Sequence, residues 1–240
     1  MLPFWSDHYD VLESSNTWAQ SLIEARNLPR EKLDYRVIVC AEQTKGRGTG
    51  ERTWVSEKGN LFLSFLLPMS FCEGNVPGPL SLATSVAVAH WAQQYVPYAL
   101  VSLKWPNDIL LDRKKMAGIL LEVKGAYVVV GLGVNILYAP QNIPETTCLN
   151  AYAKNVPAHP LLLNSLLQHV SFLYETLKTK GFSPLKQEWQ RLCSHRNQLL
   201  EIAGKQGVFV GLGDQGEMIL KEKGQKKILV SCGEQGLKTL

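Results

Sequence analysis

No apolar run in the 240-residue chain reaches the ~18 residues that a membrane span needs. The opening MLPFWSDHYD carries acids where a secretory signal would place a basic patch and an apolar core. Cysteine is sparse: Cys40, Cys72, Cys148, Cys193 and Cys232 are scattered, odd in number and never form a C-x-x-C pair. That pattern argues against a disulfide frame or a zinc site and for reduced thiols in a cytoplasmic protein. Two phosphate-binding signatures are missing. No G-x-x-x-x-G-K-[ST] occurs, and the glycine-rich loop reads G-x-G-x-G, without the third-glycine spacing of a dinucleotide fingerprint. Charge of one sign is also in short supply: a net +4 suits a site for phosphorylated ligands but is too small to argue for nucleic acid.

What is present is ordinary globular material. With 45% hydrophobic and 19% charged residues, a chain of this length can build a core without disulfides or structural metal. Ser14, Ser15 and Asn16 supply capping groups ahead of a helix over Thr17 to Arg26. Arg36 to Ala41 and Leu61 to Leu67 read as strands, and Pro79 to Tyr95 as a helix with proline in its first turn. Ala99 to Leu103, Ile109 to Leu111, Ile119 to Val123 and Tyr127 to Val134 follow as closely spaced strands, expected to pair antiparallel with their neighbours. Pro160 to Lys180 is an amphipathic helix. From Leu199 to Leu237 the chain is punctuated by glycine, which predicts short strands in a small β-barrel, with a boundary near Leu192.

Four segments carry chemistry. In Lys45-Gly46-Arg47-Gly48-Thr49-Gly50-Glu51-Arg52, glycines let backbone N–H groups approach a ligand and the cations beside them suit a phosphate or carboxylate; a solvated basic hairpin fits equally well. In Lys104-Trp105-Pro106-Asn107-Asp108, Asn107 offers donor and acceptor to an adenine edge and Asp108 can hold a metal-bound phosphate or an amine; the alternative is a rigid self-capped turn. In Lys114-Lys115-Met116-Ala117-Gly118-Ile119, Lys115 can enter a pocket where Gly118 leaves room for a ligand, or decorate a hairpin end. In Gly131-Leu132-Gly133-Val134-Asn135, glycines inside an apolar strand mark a close approach or a bulge.

Together and in this order these segments resemble the biotin–protein ligase family: SSN at 14–16, EQTKGRGTGERTW at 42–54, GNLFLS at 59–64, KWPNDI at 104–109, KKMAGIL at 114–120 and VVVGLGVNI at 128–136. The resemblance implies an α+β fold. Residues 1–192 would form a mixed, mostly antiparallel sheet packed with helices, and 193–240 an SH3-like barrel. It further implies a monofunctional enzyme without the DNA-binding domain of some members. Such an enzyme activates biotin with ATP and Mg²⁺ to biotinyl-5′-AMP and transfers biotin to the carrier domain of a carboxylase such as acetyl-CoA carboxylase.

The biotin contacts implied are Ser14, Ser15, Asn16, Gln43, Gly46, Arg47, Trp54, Lys115 and Gly118. The adenylate contacts implied are Arg47, Gly48, Thr49, Arg52, Trp54, Asn107, Lys115 and Asn135. Lys115, Arg47, Asp108 and Arg52 would be catalytic. The metal would be held through the ATP phosphates, with Asp108 a candidate for it or for the incoming lysine. The alternatives are a lipoate–protein ligase and a non-enzymatic biotin sensor. Monomer and homodimer both stay open; a dimer could use strand edges near Val128 to Val134. One departure stands out: the family loop usually has a second arginine where this chain has Thr49, which predicts a looser hold on the adenylate, with Glu51 turned to solvent or paired with Arg52 or Lys45.

Overall fold

A computed structural model of the chain describes residues 2–25, 33–72, 76–222, 226–231 and 237–239. Its centre is a seven-stranded sheet built from β1 (Trp5–Leu12), β2 (Arg36–Gln43), β3 (Leu61–Pro68), β4 (Val101–Lys104), β5 (Asp108–Leu111), β6 (Lys114–Lys124) and β7 (Tyr127–Val134). The order across the sheet is β1-β2-β3-β7-β6-β5-β4. Only β1 and β2 run parallel; the remaining neighbours are antiparallel. This is the mixed, mostly antiparallel α+β architecture expected.

The two central strands, LFLSFLLP and YVVVGLGV, are buried along nearly their whole length. Helix α1 (Ser15–Ala25) covers one face of the sheet, where Ala19 packs with Ile38, Leu66, Tyr127 and Val129. On the other face lie α2 (Gly78–Ala92), α3 (His159–Lys180) and α4 (Ser183–Leu192). Burial on both faces explains why β3 and β7 read as continuous apolar runs and not as alternation. Helix α2 is apolar almost all round because it lies between the sheet and the other helices. Its Thr84 is satisfied by Leu80 O and the buried Tyr174 hydroxyl, each at 2.7 Å.

Several sequence expectations shift. Strand β1 carries no strong period in the sequence and emerges only in the structure; helix α4 is a further element, its buried Leu185, Trp189 and Leu192 at helical spacing. The acidic, half-exposed β1 gains its place from pairing with β2. Strand β6 starts at Lys114, five positions before the expected Ile119. Strand β7 is interior, between β3 and β6, so Val128 to Val134 has no free edge to offer a second copy. The expected end of α1 at Arg26 lies outside the described residues, as does Cys232. Among the described residues no helix is long and apolar enough to cross a membrane.

The tail forms a five-stranded antiparallel sheet, β8 (Leu199–Ile202), β9 (Lys205–Leu212), β10 (Met218–Lys221), β11 (Lys227–Val230) and β12 (Lys238–Thr239), in the order β11-β10-β9-β8-β12. Its Leu200, Phe209, Met218 and Leu220 join the main core. The buried Trp105 donates its Nε1–H to Gly216 O at 3.0 Å, tying the β4–β5 turn to this sheet.

His195 sits at the same junction, only 4% exposed, and its Nε2 has no hydrogen-bond partner. Burial, and next the charge of Lys104, push its pKa down from 6.5 to about 4. Because the folded protein favours the neutral ring, the associated stability is complete above pH 6.5 and is lost as pH falls toward about 4. The wild type should therefore lose about 3 kcal/mol more stability between pH 7 and pH 4 than His195→Leu does. Urea unfolding at the two pH values measures this; equal losses would show that His195 does not titrate in this way.

Candidate active site

The site grows out of the centre of the sheet. Serine 14 caps α1 by accepting from Thr17 N at 3.4 Å, which aims the first turn of the helix at β3. A line of polar groups follows. Gln43 Oε1 accepts from Ser15 N at 2.8 Å and from Ser15 Oγ at 3.1 Å, and Gln43 Nε2 donates to Ser56 Oγ at 2.9 Å. Ser64, the polar exception in β3, lies 2.7 Å from Ser15 Oγ and donates to Asn16 Oδ1 at 2.6 Å. Asn16 Nδ2 in turn donates to Glu122 Oε2 at 2.8 Å.

The glycines of β7 and β6 have a specific purpose here. A Cβ on Gly131 would meet Asn16 Oδ1 at 2.4 Å, and one on Gly133 would meet the Trp54 indole at 2.5 Å. A Cβ on Gly118 would lie 3.0 Å from both Trp54 and Lys115. These positions thus make room for side chains of the site itself. Neither β7 nor its pairing with β3 or β6 shows a register shift, so the bulge reading of these glycines does not hold.

A bulge does occur where β5 meets β6. Ile109 pairs with Ala117 but Leu110 pairs with Lys115, leaving Met116 as the extra residue. Simple alternation would put Lys115 on the face of Ala117 and Ile119; the inserted residue turns it to the face of Gly118. There Lys115 Nζ lies 2.6 Å from Asp108 Oδ1 and 5.4 Å from the Trp54 ring centroid.

The glycine-rich loop folds as a tight hairpin in which Arg47 bridges Thr53, Gly48 N donates to Arg52 O at 2.7 Å, and Trp54 N donates to Gly46 O at 2.9 Å. Arg47 pairs with Glu122, and Lys45 turns away to Glu13 at 2.8 Å. Glu51 is exposed. It is not the partner of Lys45.

These parts enclose a cavity of about 280 Å³. Its wall includes Ser14, Ser15, Asn16, Gln43, Arg47, Gly48, Thr49, Arg52, Trp54, Asn107, Asp108, Lys115, Gly118 and Asn135. Of the residues expected at the site only Gly46 is absent from the wall. It is buried behind, where a Cβ would come 2.3 Å from Trp54 O, so its glycine serves the hairpin. Asn107 closes its turn by donating Nδ2 to Ile119 O at 2.6 Å. Asn135 donates Nδ2 to Thr147 O at 3.0 Å and leaves Oδ1 buried without a partner; Trp54 Nε1 is likewise buried and unpaired.

Pattern reading missed Glu122, and it missed Pro140, Ile143 and Thr146, which complete the wall. The segment after β7 is fixed by Asn60, whose Oδ1 accepts from the backbone N–H groups of Ile136, Leu137 and Tyr138. The asparagine beside the glycine in GNLFLS was the available signal.

One cavity thus brings neutral hydrogen-bonding groups together with Arg47, Arg52 and Lys115 and the single carboxylate of Asp108, among the described residues of its wall. Such a site suits an enzyme that handles a polar neutral group and phosphates together. Residues 10–135 match the model of the biotin/lipoate A/B protein ligase family, and the chain belongs to that family. It is a ligase. It is 28% identical over 245 positions to the bifunctional ligase/repressor BirA of Bacillus subtilis, covering 95% of this chain and 73% of that one. It is 29% identical to the biotin–[acetyl-CoA-carboxylase] ligase of Mycobacterium tuberculosis, covering 96% and 88%. Among solved structures, the biotin protein ligase of Aquifex aeolicus in complex with biotin and ATP is similar with a TM-score of 0.81 at 27% identity, covering 98% of this chain and 99% of that one.

Proposed function

We propose that the protein activates biotin with ATP to biotinyl-5′-adenylate and then transfers biotin to a lysine of a carboxylase's biotin carboxyl carrier domain, in the cytoplasm. The observation that carries this reading is one cavity lined by both neutral hydrogen-bonding groups and cations. Its neutral groups at Ser14, Ser15 and Asn16 suit a ureido ring, which needs both donors and acceptors. Trp54, on the same wall, suits the apolar chain of biotin, and we assign Lys115 to the biotin carboxylate and the α-phosphate.

In the first step a carboxylate oxygen attacks the α-phosphorus and pyrophosphate departs with the bonding electrons. Placing the Lys115 ammonium between two anions removes much of their repulsion. In the second step the acceptor lysine, its ammonium having given a proton to solvent, attacks the acyl carbon as the neutral amine. The acyl carbon–oxygen bond to the phosphate breaks, AMP leaves with its electrons, and the nitrogen releases a second proton to give the amide. Asp108 lines both this cavity and a neighbouring one of about 490 Å³ that reaches Ile202 and Leu237 of the tail. That second opening is the route we assign to the acceptor lysine, which would meet the Lys115–Asp108 pair where the two cavities join. Asn135 Oδ1 would accept from the adenine amino group, which gives its buried, unpaired state a purpose.

Magnesium fits this site only as a companion of the nucleotide. Among the described residues no group of three metal-ligating side chains occurs, and Asp108 is engaged by Lys115. The ion would screen the triphosphate charge; the protein's own contribution is Arg47, Arg52 and Lys115. We assign the tail sheet to the SH3-like barrel and place the domain boundary near Leu192.

The test is mass spectrometry of a carrier domain incubated with the protein, biotin and ATP. The expected product is heavier by one biotinyl group on one lysine. ATP–pyrophosphate exchange supported by lipoate and not by biotin would instead favour a lipoate ligase. The ring end is checked separately. Ser15→Ala should weaken biotin binding by about 1–3 kcal/mol. Gln43→Ala should do so by a similar amount through Ser15, since the amide of Gln43 is already committed to Ser15 and Ser56. Calorimetry finding both affinities unchanged would remove this end as the ring site.

A further inference from the structure

We propose that Glu122 is a positioning residue that fastens the Arg47 loop to the end of the cavity assigned to the biotin ring, an inference that rests on the function proposed above. Glu122 lies on β6 just behind the cavity wall, with its side chain 24% exposed. The same oxygen, Oε2, accepts from Asn16 Nδ2 at 2.8 Å and pairs with Arg47 Nη2. Asn16 continues through Ser64 and Ser15 to Gln43 and Ser56, and Ser56 Oγ donates back to Trp54 O at 3.2 Å. The chain of contacts therefore begins at the loop arginine and returns to the residue that closes the same loop.

Without a partner, a guanidinium on a glycine-flanked hairpin would sample many rotamers in solvent. A carboxylate partner restricts it, and a bound ligand then meets it already placed. Glu122 also receives Asn16, so any ligand that shifts Asn16 changes the anchor of Arg47. The other cations at the cavity have different partners or none of this kind: Lys115 has Asp108, and Arg52 is exposed at the hairpin. Glu122 thus links ring recognition to loop position without touching the reacting atoms.

The test is a double-mutant cycle of Glu122→Gln and Arg47→Ala. Glutamine keeps an acceptor for Asn16 and removes the charge facing Arg47. In the otherwise wild-type enzyme, Glu122→Gln should lower kcat for biotin-dependent pyrophosphate release about tenfold, the low end for a charge-assisted contact that is partly exposed. Biotin Kd should stay within about twofold, because the neutral hydrogen bond to Asn16 survives. In the Arg47→Ala background the same change should slow the enzyme no further.

A second readout needs no activity. Trypsin should cut the ligand-free hairpin after Arg52 about tenfold faster in Glu122→Gln, because loss of the tie raises the population of the open loop. Arg47→Ala should show the same gain, and the two together no more. Wild-type turnover and wild-type resistance in Glu122→Gln would overturn the assignment, and so would effects that simply multiply in the double variant. If the wild-type protein releases no pyrophosphate with biotin, the proposed function fails, while the proteolysis cycle still decides whether Glu122 holds the loop.

Discussion

Replacing Lys115 with alanine should slow adenylate formation by at least about 10²-fold, the loss typical of removing one preorganised charge-stabilising donor. Biotin binding should weaken far less. The ammonium matters most when negative charge gathers on the α-phosphate, so its loss falls on the transition state more than on the ground state. The structure sharpens the expectation. Lys115 is held by Asp108 at 2.6 Å, by the face of Trp54, and by backbone bonds from Lys115 N to Glu145 O and from Thr147 N to Lys115 O. It is pre-placed and needs no reorganisation. Lys115→Arg should not restore the rate, because a planar fork does not reproduce a point charge held 2.6 Å from Asp108 Oδ1 and over the Trp54 ring. Single-turnover measurement at saturating biotin and ATP provides the comparison, with a thermal melt to exclude unfolding. A wild-type rate in Lys115→Ala would remove this residue from the chemistry.

Gly133→Ala should be nearly as damaging, although it adds one methyl group to a strand. The new Cβ would come 2.5–2.8 Å from three atoms of the Trp54 indole. The indole cannot retreat easily, since Lys115 Nζ lies 5.4 Å from its ring centroid and Trp54 N is bonded to Gly46 O. Overpacking of this kind destabilises by about 1–3 kcal/mol. Displacing a site wall by about 1 Å lowers the rate by about 10²-fold. Gly125→Ala is the comparison: it has no neighbour within 4 Å, and its strain is confined to a φ of +57° at a turn. It should cost some stability and leave the rate alone. A Gly133→Ala enzyme with normal turnover would mean that Trp54 is free to move and does not shape the cavity.

The family, the chemistry of the motifs and most of the elements were legible in the linear chain, because each depends on local signals. Apolar runs revealed β2, β3 and β7; Ser14 marked the start of α1; and the glycine and cation patterns marked nearly every wall of the cavity. Strand β1 was not legible, since an acidic, half-exposed segment becomes a strand only when β2 supplies its partner. Helix α4 was within reach of a local reading, since Leu185, Trp189 and Leu192 share the one helical face that it buries.

At the site, residue types announced themselves but their partners did not. Gly131 and Gly133 signalled a close approach, yet only the packed sheet shows that Asn16 and Trp54 are what approaches. Lys115 looked like a hairpin end as much as a pocket cation. A single inserted residue at Met116, visible only in the β5–β6 register, turns it inward. Glu122 gave no signal at all, being one acid on a strand. Its meaning lies in receiving Asn16 and Arg47, which are 106 and 75 positions away in the chain. Contacts at such separation are absent from any local pattern; they exist only after the strands have paired.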